Sequence, residues 1–295
     1  MIRFEYLEPR SVQEASAALK AFPGAASFLA GGTDLLVEIK EHLGPVACVI
    51  NLKRIAGMDE LMFDAANGLR FGALTTARAI ELDRDVGLHY PGLQQAARDL
   101  GSIQVRNRAT IAGNICRASP SADTPPPLIA DGAVLTLGDG VTQREVLLED
   151  FFTGPGKSVL APSELVLSIR VPPPPARTGK VYLKHGRRKA MELATVGVGV
   201  ALSLDAAGRC ASVRIALGAV APTPIRAREA EQLLHGQTID PDLIATAASK
   251  AAHHCQPISN VRASAAYRRE MVEVLTRRAL TSALAQALAA PAAPA

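Results

Sequence analysis

Thr110-Ile111-Ala112-Gly113-Asn114-Ile115-Cys116-Arg117-Ala118-Ser119-Pro120-Ser121-Ala122-Asp123-Thr124-Pro125 is the stretch on which the reading of this chain turns, together with an earlier one, Ala30-Gly31-Gly32-Thr33-Asp34-Leu35-Leu36. The earlier stretch follows a short apolar run, Ser27-Phe28-Leu29-Ala30, and precedes a helical pattern. Glycines at a strand-to-helix junction let main-chain N–H groups and a helix N-terminus face an anion. Thr33 adds a hydroxyl, and Asp34 is expected to cap the helix rather than face a phosphate. The later stretch interleaves Gly113 with Thr110, Asn114, Ser119, Ser121 and Asp123, and apolar residues (Ile111, Ile115, Leu128, Ile129) bracket it. Buried polar groups need partners, so a polar ligand is expected there. Two such stretches suit the two ends of one large phosphorylated ligand.

Working outward, Ser11-Val12-Gln13-Glu14 reads as a capping box opening a helix. Helix and strand then alternate to Leu52, which argues for a small α/β unit. Asn67-Gly68 between two apolar runs signals a hairpin. Short helices are expected at 76–84 and 91–100, with Pro91 at a first helical position. Pro125-Pro126-Pro127 is read as excluding regular helix. Strands at 133–137, 145–148 and 164–171 complete this part.

Pro172-Pro173-Pro174-Pro175-Ala176-Arg177-Thr178-Gly179 reads as a stiff spacer. Beyond it, three strands (181–184, 193–204, 210–219) precede three helices (226–234, 241–254, 263–288), an α+β pattern. The expected division is therefore 1–172, in pieces of about 1–55 and 56–172, then a linker at 173–179, a second domain at 180–288 and a flexible tail at 289–295.

The 295 residues suffice for two domains, and nearly half are apolar. Cys48, Cys116, Cys210 and Cys255 are too scattered for a zinc ribbon, an iron–sulfur run or a disulfide scaffold, so free thiols in a reducing cytoplasm and no metal in this chain are expected. No signal core or membrane span is visible. A net charge of +4, spread arginines and no Trp do not favour nucleic acid. Gly154-Pro155-Gly156-Lys157-Ser158 imitates the end of a P-loop, but Phe151 stands where its first glycine belongs. Gly197 and Gly199 lack a third glycine at Leu202, so the dinucleotide fingerprint fails. His253-His254-Cys255 diverge on a helix, and Arg187-Arg188-Lys189 reads as a solvated or interface patch, with a contact to a cofactor phosphate as the alternative.

At these motifs the chain resembles the FAD-binding medium subunit of the molybdenum hydroxylases, the xanthine dehydrogenase and carbon monoxide dehydrogenase family. Phe4-Glu5-Tyr6, AGGTDLL, QVRNRATIAGN (Gln104–Asn114), ASPSADTPP, Leu165–Ile169, the stretch from Tyr182-Leu183-Lys184 to Ala194, and Tyr267-Arg268-Arg269 to Arg277-Arg278 occur in family order. The resemblance implies an α+β fold: a two-piece PCMH-type FAD-binding domain, then a three-stranded antiparallel sheet with a helix bundle, the flavin lying between. It implies that Leu29, Ala30, Gly31, Gly32, Thr33, Asp34 and Leu35 wrap the FAD pyrophosphate. Thr110, Ala112, Gly113 and Asn114 would hold phosphate and the flavin side. Ser119 and Asp123 would meet ribityl or adenosine atoms, Leu100 with Val166 or Leu167 would pack on the rings, and Lys184 would approach the flavin. Ala112 stands where a glycine is frequent. The cysteine-rich loop that carries an extra [4Fe–4S] cluster in some relatives has no counterpart here, so FAD alone is expected in this chain.

The resemblance further implies an oxidoreductase subunit without a catalytic acid or base of its own. A large partner would carry the molybdenum cofactor and a small one two [2Fe–2S] clusters, in a dimer of heterotrimers. Electrons would pass through FAD to NAD+, a quinone or oxygen. One alternative is a self-contained flavin oxidoreductase on the same FAD-binding fold, which needs substrate-domain acids and bases that the short C-terminal part offers little of; another is a non-enzymatic assembly subunit that has lost FAD, against which the polar set of the later stretch argues.

Overall fold

A computed structural model describes residues 3–290. The first piece alternates strand and helix: β1 (Glu5–Leu7), α1 (Val12–Ala21), β2 (Ala26–Leu29), α2 (Leu35–Glu41) and β3 (Cys48–Asn51). Its sheet is parallel with order β1-β3-β2. The capping box forms in altered shape. Ser11 Oγ accepts from the Glu14 N–H, while the Glu14 carboxylate accepts from the N–H of Arg10, one residue before the cap.

The second piece holds a hairpin, β4 (Leu61–Asp64) and β5 (Gly68–Gly72), closed by Asp64 Oδ1 accepting from the Ala66 and Asn67 N–H groups. Six helices follow: α3 (Ala77–Leu82), α4 (Arg84–His89), α5 (Pro91–Asp99), α6 (Ile103–Arg106), α7 (Ile111–Cys116) and α8 (Pro125–Ala130). β6 (Val134–Gly138), β7 (Gln143–Leu147), a small ribbon of β8 (Phe152–Gly154) with β9 (Lys157–Ser158), and β10 (Leu165–Val171) complete it. The main sheet is antiparallel, order β4-β5-β10-β6-β7, and one core runs from Ala15 through Phe71 and Ile111 to Ile169.

α8 corrects the expectation that the proline run excludes helix. Pro125, Pro126 and Pro127 occupy its first turn. First-turn N–H groups have no intrahelical acceptor, so prolines there forfeit no helix bond and arrive with helical φ.

The chain runs without helix or strand from Pro172 to Arg177 and enters β11 (Thr178–His185), then β12 (Val196–Leu204) and β13 (Cys210–Gly218). To these three expected strands a two-residue β14 (Ile225–Arg226) is added, in antiparallel order β11-β12-β13-β14. The helices α9 (Arg228–Leu234), α10 (Pro241–His254) and α11 (Ala265–Ala289) cover it and enclose a second core around Val198, Ile215, Ala247 and Leu280. Of the expected tail, Ala289 ends α11, and 291–295 lie outside the described residues.

The two halves meet along α5, α8 and β11–β13. A side chain on Gly199 would strike the Pro126 carbonyl group, 2.6 Å away. Lys180, on β11, places its ammonium 2.8 Å from the Asp131 carboxylate at the end of α8 and 4.0 Å above the Tyr90 ring. The Tyr90 hydroxyl accepts from the Leu69 N–H and lies 2.9 Å from the Pro172 carbonyl, to which it can donate.

Candidate functional site

The first glycine stretch connects β2 to α2. It lies directly against the residues that lead into the second: a side chain on Gly31 would stand 2.0 Å from the Arg108 carbonyl oxygen. Glycine is the residue that permits this approach. Gly32 has φ +76, a left-handed conformation over the Leu29 and Leu36 side chains. Among the described residues, the main-chain N–H groups of Gly31, Gly32, Thr33, Asp34 and Leu35 donate to no carbonyl and to no side chain. Five consecutive free donors beside a helix start are a ready anion cradle.

The cradle opens into a cleft of about 790 Å³, within the usual range for a ligand site. Ala30, Gly31, Gly32, Thr33, Asp34, Leu35, Leu100, Thr110, Gly113, Asn114, Ser119 and Asp123 all line it. Five other expected residues do not. Leu29 packs beneath Gly32, and Ala112 is buried in the core. Val166 is also buried, and Leu167 faces a separate hollow with Val12, Met58 and Phe71. Both stand on β10, the central strand of its sheet. Lys184 stands one layer back, behind Asp123.

Two local expectations need correction. Asp34 makes no cap hydrogen bond and already has αR geometry, unlike a side-chain cap, which is extended. It reaches instead toward Arg117, 4.0 Å away. The second stretch is also less in need of outside partners than its composition implies. It folds partly as α7, with Thr110 as the cap: its Oγ1 accepts from Gly113 N–H and its carbonyl from Asn114 N–H. The buried Thr124 hydroxyl donates to Asn114 Oδ1. The donors that await an anion thus lie mainly in the first stretch.

Asp123 joins the cleft to the second domain. Tyr182 Oη donates to Oδ1 at 2.9 Å, and Lys184 Nζ donates to Oδ2 at 2.8 Å and to the Asp99 carbonyl at 3.1 Å. Burial pushes the Asp123 carboxyl up to about 6, although Lys184 and the Tyr182 hydroxyl pull it down. The same burial, with Asp123 alongside, drives the Tyr182 phenol far above its usual range. Tyr182 and the Arg187–Leu193 segment fall in a stretch that carries the family resemblance, but neither was expected to be part of the site. That segment joins β11 to β12 and reaches across to the first domain, with Met191 N–H donating to Gly101 O. Its Met191, Glu192 and Leu193 line the cleft, and Glu192 takes ion pairs from Arg187 and Arg188. A basic triplet reads as surface, and no local pattern announces such a fold-back. Arg117 and Glu38 were missed as well, though a lone cation inside a glycine-bearing loop was a usable signal.

Fold and site together define an α+β protein in which a run of unengaged main-chain donors opens into a cleft at the seam between its two parts. Residues 2–174 match the family description "FAD binding domain in molybdopterin dehydrogenase", and residues 181–283 match "CO dehydrogenase flavoprotein C-terminal domain". The chain belongs to this family of FAD-binding subunits of molybdenum hydroxylases, and is an oxidoreductase subunit. It is similar to the xanthine dehydrogenase FAD-binding subunit of Escherichia coli O157:H7, 31% identical over 89% of this chain and 90% of that one. It is also similar to the glyceraldehyde dehydrogenase medium chain of Sulfolobus acidocaldarius, 33% identical over 94% of this chain and 96% of the other. A solved chain of the carbon monoxide dehydrogenase from Hydrogenophaga pseudoflava superposes with a TM-score of 0.92, at 34% identity, over 97% of this chain and 99% of that one. No helix among the described residues is long and apolar enough to cross a membrane.

Proposed function

We propose that the cleft between the two glycine stretches holds FAD, with the diphosphate on the N–H groups of Gly31–Leu35. The run of five unengaged donors carries this reading, because a diphosphate is the part of FAD that needs them. Thr33 adds a hydroxyl beside them. Asn114, Ser119 and Asp123 offer acceptors and donors along the far wall for the hydroxyl-bearing parts of the cofactor. Leu100, Met191 and Leu193 supply apolar surface that keeps water from it.

FAD, when bound, supplies the exchange between one-electron donors and a two-electron acceptor. The protein contributes grip, orientation and local charge, with Lys184, held by Asp123, as a buried cation behind the cleft wall. We infer that electrons come from two [2Fe–2S] clusters of a small partner subunit and leave for an acceptor such as NAD+, a quinone or oxygen. A large molybdenum-cofactor subunit would perform the hydroxylation and set the substrate, in a cytoplasmic heterotrimer that pairs with a second copy. The test is native purification with co-expressed partners, followed by acid release and chromatography of the flavin. FAD in stoichiometric yield is expected. A complex that releases no flavin and takes up no added FAD would contradict the assignment.

A further inference from the structure

The cleft has an unusual charge balance for a site that is to hold a diphosphate. Its wall includes four carboxylates, Asp34, Glu38, Asp123 and Glu192. Among the described residues that line it there is a single cation, Arg117. Asp123 and Glu192 are already neutralised, by Lys184 and by Arg187 with Arg188. Asp34 and Glu38 have Arg117 alone, which reaches from the end of α7 to Asp34, just before α2, and to Glu38 on it. Without it, the amide cradle of Gly31–Leu35 would stand next to two uncompensated negative charges.

Resting on the FAD reading above, we propose that Arg117 is an exchangeable anion clamp: it leaves Glu38 and Asp34 for the cofactor diphosphate and sets the affinity for the phosphorylated part of the ligand. The exchange is feasible because the present pairs are exposed. The Arg117 side chain is 49% exposed, and those of Glu38 and Asp34 are 30% and 61% exposed. Such surface pairs add little to stability and are screened by salt. A guanidinium on phosphate makes stronger, charge-assisted and often bidentate hydrogen bonds. In this scheme Glu38 parks the arginine at the cleft and competes with the ligand for it.

The measurement is titration of the full chain, stripped of flavin, with FAD and separately with riboflavin, which has no phosphate. Arg117→Gln is expected to raise the Kd for FAD by about tenfold, to flatten its dependence on salt, and to leave riboflavin binding unchanged. Arg117→Lys, which keeps the charge, should recover most of the loss. Glu38→Gln should bind FAD at least as tightly as the wild type, since it frees the arginine and removes a negative neighbour. A merely structural latch predicts otherwise: Arg117→Gln and Glu38→Gln would weaken FAD alike, and riboflavin would suffer with it. That result, or an Arg117→Gln chain that binds FAD as the wild type does, overturns the clamp while leaving the FAD site standing. A wild-type chain that takes up no FAD overturns both.

Discussion

Asp123 is a residue whose chemistry the fold changes at the cleft. Its carboxyl, ordinarily at 3.8, lies at about 6 because burial penalises the anion more than Lys184 and Tyr182 compensate. The sign of the consequence follows from proton counting. Between these two values the folded chain binds the proton and the unfolded chain does not, so this group's contribution to stability is greatest below about pH 4 and is lost as pH rises through 6. The loss is on the order of 3 kcal/mol. Urea unfolding of wild type and Asp123→Asn between pH 4 and 7.5 should reveal it as a steeper decline in the wild type, and parallel curves would refute it. The asparagine keeps an oxygen for Tyr182 but carries no titrating proton. Single residues were unevenly legible. Gly31 and Gly32 alone read as readily as a tight structural turn, and only the second polar stretch further along the chain turned them into a candidate cradle. The Thr110 cap was not legible, because a threonine that satisfies a helix start and one that awaits a ligand look identical until the following residues are known to be helical.

At the scale of elements, most strands and helices were legible from apolar spacing, including α10 with both ends. The failures share a cause: tertiary placement outweighed local pattern. The proline run was read as a breaker, yet the three prolines begin a helix that the second domain's sheet covers. β14 is too short to leave a periodic trace. The contact between α8 and β12 can be tested at Gly199, whose missing side chain admits the Pro126 carbonyl. Gly199→Ala forces main chain to move and should cost about 1–3 kcal/mol. Because Asp123 and Thr124 immediately precede α8, FAD affinity should fall as well. Thermal melting and FAD titration read both effects, and an unchanged melting temperature would show that the seam is looser than its geometry indicates.

For the whole molecule, the seam is held by buried charge as well as by packing. The side chains of Lys180 and Asp131 are 6% and 2% exposed. Burial raises the Asp131 carboxyl, while Lys180, and Arg214 behind it, draw it back toward ionisation. Removing one partner of such a pair costs about 3–5 kcal/mol, chiefly for the charge left behind. Lys180→Met should therefore unfold at lower urea, and the deficit should shrink from pH 8 to pH 5 as the abandoned carboxyl takes up a proton. A pH-independent deficit would mean that lost packing on Tyr90, rather than charge, is responsible. The two-part division of the chain was legible in its prolines and its change of pattern; the seam was not, because Tyr90, Asp131 and Lys180 are far apart in sequence and unremarkable singly.

Tyr90 gives the proline stretch a different character from that of a free tether. Its hydroxyl grips the spacer at Pro172 while its ring supports the ammonium of Lys180 just beyond. The stretch thus leaves one half and enters the other under restraint at both ends. Bending about this stretch would have to break the hold of the Tyr90 hydroxyl on Pro172 and lift Lys180 off the ring, so the two halves are coupled where a linker would leave them free.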